Sequence, residues 1–471
     1  MKKTKIICSI GPASESVEVM TEMVKVGMNV ARINFSHATY EQNDKDIAVI
    51  KEVRSLTGVP VSILYDTKGP DFRCLEMQEE GVNLVPGNTI KMVKDHIVGS
   101  EEAFGVNYPD AIDKINIGNE VLIDDGLFKL EVIDKDSNSV TLKVVNGGVL
   151  TSKKGIAVPG CDLNLEFLSE VDKEDIKYAC THEGDFIALS FVESRKNVDD
   201  VRQILKENGR EDMQIISKVE SATAVKNLDE IIDASDGIMV ARGDLGVEVP
   251  IEKLPIIQKD MIRRCREKEK FVIVATEMLA SMYTSPRPTR AEVTDISNAV
   301  LDGTDAVMLS GESTVGKYPV DAVRYMSNIC EEAEKFEEYA SDFTPVVPND
   351  ITEAVASSVL VSSSQLDAKA IVVPTSGGHS ARVISNLRPK TMILALCPNN
   401  NVARGLSLNY GVQTVVINVN HDDMDDVAVA CRSVATTILN LKEKDIIVIC
   451  GGIHANYQNV KQTNFMKIEE I

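Results

Sequence analysis

Tryptophan is absent from this 471-residue chain, and 11 Phe with 10 Tyr bring the aromatic share to only 4%. A surface that stacks on nucleobases needs more rings than that, which argues against a single-stranded nucleic-acid binder. Basic charge is also short: 50 Lys and Arg stand against 72 Asp and Glu, a formal net charge of -22. Such a surface repels nucleic acid and anionic membranes, so a phosphorylated ligand has to be met by individually placed cations or a metal. No uncharged apolar run reaches about 18 residues, so no transmembrane helix is expected. The start, Met1-Lys2-Lys3-Thr4-Lys5-Ile6-Ile7-Cys8, has no secretory apolar core and reads as a strand, giving a cytoplasmic expectation. The nine cysteines form no Cys-x-x-Cys pair and the six histidines show no metal spacing. Zinc ribbons and disulfide scaffolds therefore drop out, leaving reduced, mostly buried thiols.

What the chain does have is alternation. Strand-like runs at Lys5 to Ile10, Asn29 to Phe35 and Val61 to Thr67 are separated by helix-period stretches near Val17 to Val26 and Glu41 to Leu56. Strands alternating with helices predict parallel strands joined by right-handed crossovers. From about Asp71 to Pro159 the text changes to short alternating strands with turn pairs such as Asp124-Asp125-Gly126, an all-β module. Alternation resumes at Asp185 to Phe191, Gln214 to Val219, Gly237 to Ala241, Phe271 to Ala275 and Ala306 to Ser310. Three strands and five make eight, which predicts an α/β fold: a TIM (β/α)8 barrel with an all-β lid inserted after its third strand. Thr344 to Asp350 reads as a linker. Beyond it come a helix at Ile351 to Gln365 and strands at Ala370 to Val373, Met392 to Leu396, Thr414 to Ile417, Asp445 to Cys450 and Asn464 to Ile468, a mostly parallel C-terminal α/β domain. The expected division is a barrel over 1–70 and 160–343, a lid over 71–159 and a C-terminal domain over 344–471.

The chemistry-bearing residues fall at strand ends. Lys218 and Glu220 lie two positions apart and leave one face of an extended chain, while the next strand ends in Arg242-Gly243-Asp244. Adjacent barrel strands bring all four charges to one rim, where two carboxylates beside two cations suit a hard metal ion holding an anionic substrate. The bland alternative is a surface salt-bridge cluster. Arg32, Asn34 and Ser36 alternate at the second strand's end, and Asp66 and Thr67 close the third; their oxygens suit a large monovalent cation, with strand-end capping as the alternative. Thr276 offers a rim hydroxyl after the seventh strand. The arginines in Pro286-Arg287-Pro288-Thr289-Arg290 are either a structural brace or a subunit contact.

At Thr4-Lys5-Ile6, Ala31 to His37, Asp66 to Pro70, Ile216 to Glu220, Asp236 to Gly246, Pro286 to Glu292 and Asp302 to Glu312, the chain closely resembles pyruvate kinase, a bacterial type without the C-terminal phosphohistidine-like extension. The resemblance implies transfer of a phosphoryl group from phosphoenolpyruvate to ADP, with Mg²⁺ or Mn²⁺ and K⁺ as cofactors. It implies Glu220 and Asp244 as Mg²⁺ ligands, Lys218 as the cation stabilising the moving phosphoryl group, and Arg32 as its ground-state grip. The backbone of Gly243 and Asp244, with the Thr276 hydroxyl, is expected to meet the substrate carboxylate. Asn34, Ser36, Asp66 and Thr67 resemble the K⁺ site, and Asn34, Arg73 and Lys154 the nucleotide contacts. It further implies a homotetramer, with neither nucleic acid nor membrane as a partner.

Departures from the family pattern are Asp71 for Glu, Glu277 for Gln and Ala280 for Glu. In the C-terminal domain the loop Thr375-Ser376-Gly377-Gly378-His379-Ser380-Ala381-Arg382 resembles a sugar-phosphate effector loop only loosely. Thr375, Ser376, Ser380 and Arg382 are its candidate ligands, with a sugar phosphate, AMP or no effector left open. A second loop, Gly451 to Gln458, retains only Lys461 to Asn464 of the family pattern. Two other readings stand beside the kinase: a lyase working through a metal-stabilised enolate, and a catalytically silent sensor.

Overall fold

The strands foreseen from apolar runs form because their residues bury both faces. All eight close a parallel barrel: Lys5–Ser9, Val30–Asn34, Ser62–Asp66, Phe186–Leu189, Gln214–Val219, Gly237–Ala241, Phe271–Ala275 and Ala306–Leu309, each hydrogen-bonded to its neighbours in sequence. This computed structural model describes residues 2–336, 350–417, 419, 424–452 and 462–471. Side chains such as Ile7, Leu64, Ile216, Met239 and Ile273 fill the barrel, and a larger apolar layer packs the strands against the outer helices. Helix starts follow local chemistry. Ser16 and Thr39 cap the first two, and Thr289 with Glu292 forms a reciprocal capping box ahead of Arg290–Asp302.

Between the third and fourth barrel strands the chain builds the all-β lid. A six-stranded sheet runs in the order Ile156–Ala157, Glu120–Ile123, Phe128–Lys135, Ser139–Asn146, Thr89–Val93, Ala103–Gly105, beside a pair made by Gly148–Leu150 and Val82–Leu84. It encloses its own core around Phe104, Leu130 and Leu142.

The C-terminal sheet runs Val412–Val416, Ile393–Cys397, Ala370–Pro374, Ile446–Gly451, Phe465–Glu470, parallel except for its last strand. It docks on the amino-terminal end of the barrel. Leu408 enters the barrel's interior cluster, Arg404 pairs with Asp185 at 2.8 Å, and Arg388 is buried against Asp305 and the carbonyls of Gly303 and Thr304. The opposite, carboxyl-terminal rim is thereby left to face the lid. Residues 344–349 of the expected linker, and 453–461 of the second effector loop, lie outside the described residues. All nine cysteines are unpaired, eight of them buried. Among the described residues no helix is long and apolar enough to cross a membrane.

Candidate active site

The second, third and fifth barrel strands deliver their last polar side chains to one knot of charge. Arg32 donates through Nε to Asp66 Oδ2 and through Nη1 to Ser9 Oγ, both at 2.7 Å. Lys218 Nζ lies 2.9 Å from Glu220 Oε1, 3.3 Å from Asp66 Oδ1 and 2.7 Å from Ser190 Oγ. Asp66 and Glu220 are each 1% exposed, so their charges survive only through these partners. Burial works against the Lys218 ammonium, yet Asp66 and Glu220 outweigh it and hold its pKa above the ordinary lysine value. Burial likewise opposes ionised Asp66, but Lys218 and Arg32 prevail and keep its pKa low. Glu220 goes the other way. Burial, with Asp244 adding repulsion, overrides Lys218 and pushes its carboxyl up to about 7.

Asp244 lies in the first turn of the helix Arg242–Glu248 and is exposed to the cleft. A buried carboxylate and an exposed one thus face the same space with a repulsion that a cation would relieve. Among the described residues no cluster of three or more His, Cys, Asp or Glu is poised for a metal. Two hard carboxylates, with substrate oxygens and water completing the shell, is the donor set that Mg²⁺ takes and zinc does not. The residues therefore fit the expected divalent ion.

Asn34, Ser36, Asp66 and Thr67 come together because Asn34 and Asp66 are cross-strand partners. Asn34 Oδ1 accepts from Ser36 N–H at 3.0 Å, and Thr67 accepts from Ser190 at both its hydroxyl and its carbonyl. All four residues offer oxygen, the donor type a large monovalent cation needs. At the seventh strand, Thr276 Oγ1 accepts from Gly243 N–H at 2.8 Å and donates to Ala275 O at 2.6 Å. The N–H and the hydroxyl expected to meet a carboxylate are thus bonded to each other and on to Ala275 O, so a substrate carboxylate would have to take over these two donors.

Arg242 departs from the sequence expectation. Its guanidinium donates to both oxygens of Asp295, at 2.8 and 2.6 Å, and to the carbonyls of Ala275 and Thr276. It is a brace behind the rim, and Arg32 is the second cation beside Lys218. Glu292 plays a similar part: besides its cap it accepts from Ser281 N–H and Oγ, so the Pro286 to Glu292 motif braces the loop after the seventh strand. Glu312, just past the eighth strand, accepts from the N–H groups of Leu279 and Ser310 and ties the last two strand exits together.

On the lid, Arg73 pairs with Asp71 and donates to Lys153 O at 2.8 Å, while Lys154 pairs with Asp124 at 2.9 Å. Burial raises the pKa of Asp71 against the pull of Arg73, with Asp244 across the cleft adding to the rise. The lid's acids and the barrel's rim therefore share one cleft, and Asp71, Asp125 and Asp244 line it together. Far away, Thr375 Oγ1 accepts from Gly378 N–H, Ser380 Oγ accepts from Thr463, and Arg382 lies across the loop onto Gly377 O at 3.2 Å. Ser376 is exposed. Sequence reasoning missed Ser9 and Ser190. Each is a lone small hydroxyl at the exit of an apolar strand, a signal visible only when all eight exits are inspected alike.

Comparison with known proteins places the whole chain in one family. A family model described as pyruvate kinase, barrel domain, matches residues 1–323, and one described as pyruvate kinase, alpha/beta domain, matches 353–469. Pyruvate kinase of Bacillus licheniformis is 43% identical over 475 residues, covering 99% of this chain and 80% of that protein. Pyruvate kinase of Geobacillus stearothermophilus is 43% identical over 479 residues, covering 100% and 80%. A crystal structure of a pyruvate kinase from Cryptosporidium parvum superposes with a TM-score of 0.92 at 37% identity, over 100% of this chain and 96% of that one. With both family models matched and the identity sustained along the whole length, the chain belongs to the pyruvate kinase family.

Proposed function

We propose that the cleft between barrel rim and lid is where this phosphotransferase moves the phosphoryl group of phosphoenolpyruvate to ADP, giving ATP and pyruvate. The observation that carries the assignment is Lys218, a cation held at the rim by two buried carboxylates and standing on the same Asp66 as Arg32. Phosphoryl transfer asks for placed positive charge rather than a covalent nucleophile, and this arrangement supplies it. In this reading Arg32 grips the phosphoryl oxygens and Lys218 stabilises the charge as the group moves. The N–H groups of Gly243 and Asp244 and the Thr276 hydroxyl receive the carboxylate, and Thr276 stands beside the enolate for its protonation. Asn34 with the lid's Arg73 and Lys154 meets the nucleotide phosphates, while the lid excludes water that would hydrolyse the donor.

Glu220 and Asp244 would hold Mg²⁺ or Mn²⁺, and Asn34, Ser36, Asp66 and Thr67 would hold K⁺; when bound, these ions supply charge neutralisation for the transferring group. Thr375, Ser376, Ser380 and Arg382 form the candidate effector loop for a sugar phosphate or AMP, and the assembly is a homotetramer. The division into barrel (1–70, 160–343), lid (71–159) and C-terminal domain (344–471) belongs to the same reading, supported by the separate apolar cores. The test is pyruvate formation from phosphoenolpyruvate and ADP with Mg²⁺, with and without K⁺. Turnover that needs both ADP and K⁺ is expected. Pyruvate released without ADP would mean a lyase, and full activity in a buffer free of monovalent substitutes would remove the K⁺ assignment.

A further inference from the structure

Ser190 follows the fourth barrel strand and is 3% exposed. Three parts of the site meet at this one residue. Its hydroxyl accepts from Lys218 Nζ at 2.7 Å and donates to the Thr67 carbonyl at 2.7 Å, and its own N–H donates to Thr67 Oγ1 at 3.2 Å. It also packs directly under Gly69, where the chain turns out of the barrel towards the lid. A Cβ added to Gly69, at φ +67, would fall 2.8 Å from the Ser190 Cβ and 2.9 Å from its carbonyl oxygen.

The three contacts of the Lys218 ammonium are not equivalent. Asp66 and Glu220 are buried carboxylates, and losing the lysine would strand their charge. Ser190 is neutral and is itself anchored on Thr67 O, so it fixes where the ammonium stands without adding a charge that competes with a phosphoryl group. On the assignment of Lys218 made under the proposed function, we propose that Ser190 is a positioning residue. It ties the Lys218 ammonium to the third-strand exit, so that the Thr67 oxygens and the Gly69 turn together set where the phosphoryl-handling cation stands.

Full-length Ser190→Ala tests this in two readouts, after wild-type turnover of phosphoenolpyruvate and ADP has been measured. With the hydroxyl gone kcat is expected to fall about 10–100-fold while the KM values for phosphoenolpyruvate and ADP move less than about threefold, the signature of a misplaced catalytic group. Independently of activity, the KCl concentration needed for half of the K⁺-induced rise in melting temperature, against tetramethylammonium chloride as control, is expected to increase at least about fivefold. Ser190→Thr, which keeps the hydroxyl, is expected to restore the KCl midpoint. Wild-type kcat, or a fall in kcat with an unmoved KCl midpoint, overturns the proposal. Should Ser190→Ala fail to fold, Ser190→Cys carries the same expectations, and wild-type values in it overturn the proposal equally. A wild-type chain without pyruvate kinase activity would instead overturn the functional reading beneath it.

Discussion

Lys218 shows how a single buried charge acquires a function. Its side chain is 12% exposed, and two carboxylates prevent the ammonium from losing its proton. Lys218→Met removes that charge at similar length. Turnover is expected to fall by at least about 10³-fold, as for loss of a preorganised stabiliser. Phosphoenolpyruvate binding, followed by protection against melting, should change little, and normal turnover would reassign Lys218. Glu220 gives a second prediction. Its pKa of about 7 means that a proton competes for the carboxylate around neutral pH. Divalent affinity, measured by Mn²⁺ titration, should therefore weaken about tenfold per pH unit below 7 and level off above it. A pH-independent affinity between about pH 5.5 and about pH 7 would mean that Glu220 does not ligate. At this scale the charged members of the site were legible because charge at the end of an apolar strand is conspicuous. Ser9 and Ser190 were not, since a neutral hydroxyl there looks like any strand-end residue.

The strand exits show the same logic at the level of elements. After the seventh strand, Thr276 and Glu277 both have left-handed backbone, at φ 68 and 54, a conformation that costs non-glycine residues energy and persists only where its surroundings impose it. Arg242 provides that constraint, binding the carbonyls of Ala275 and Thr276 while anchored on Asp295. Sequence position alone made Arg242 a site cation, because its partner Asp295 lies in the middle of a later helix. Arg242→Met should lower stability by about 1.5–3 kcal/mol, the range for hydrogen bonds to a charged group. It should also reduce kcat through a displaced Thr276. A variant with wild-type melting temperature and impaired substrate binding would restore Arg242 as a direct ligand. The strands themselves were legible almost residue by residue, since uniformly buried apolar runs have few alternatives. Three of the eight match to the residue and the other five run one or two residues long at an end, as with Asp185 to Phe191 against the observed Phe186–Leu189, where Asp185 is spent on the Ile63 N–H and Phe191 turns at φ 55.

On the scale of the whole molecule, each end of the barrel has its own business. The lid, with a separate core, faces the carboxyl-terminal rim, and the C-terminal domain seals the other end with Leu408 inside the barrel. That seal was invisible in the sequence, where Leu408 is one apolar residue among many and its partners lie hundreds of positions away. Lys5 sits in the same junction, 8% exposed, donating to Val412 O at 2.5 Å. Burial, reinforced by Lys2 and opposed by Glu334, lowers its pKa to about 7. In the unfolded chain the value is about 10.4, so between these limits the unfolded state holds a proton that the native state has released. The cost of burying Lys5 is thus fully present below pH 7 and is relieved as pH rises towards the unfolded value, by about 1.4 kcal/mol per unit at most. Lys5→Met has no such dependence. It also leaves Val412 O without its donor, a penalty that is the same at every pH, so the slope of the difference and not its sign at one pH reports on Lys5. The melting temperature of Lys5→Met minus that of the wild type should fall steadily from about pH 7 to about pH 10. A flat difference would mean that Lys5 stays charged in the junction, with the Glu334 carboxylate strong enough to offset its burial.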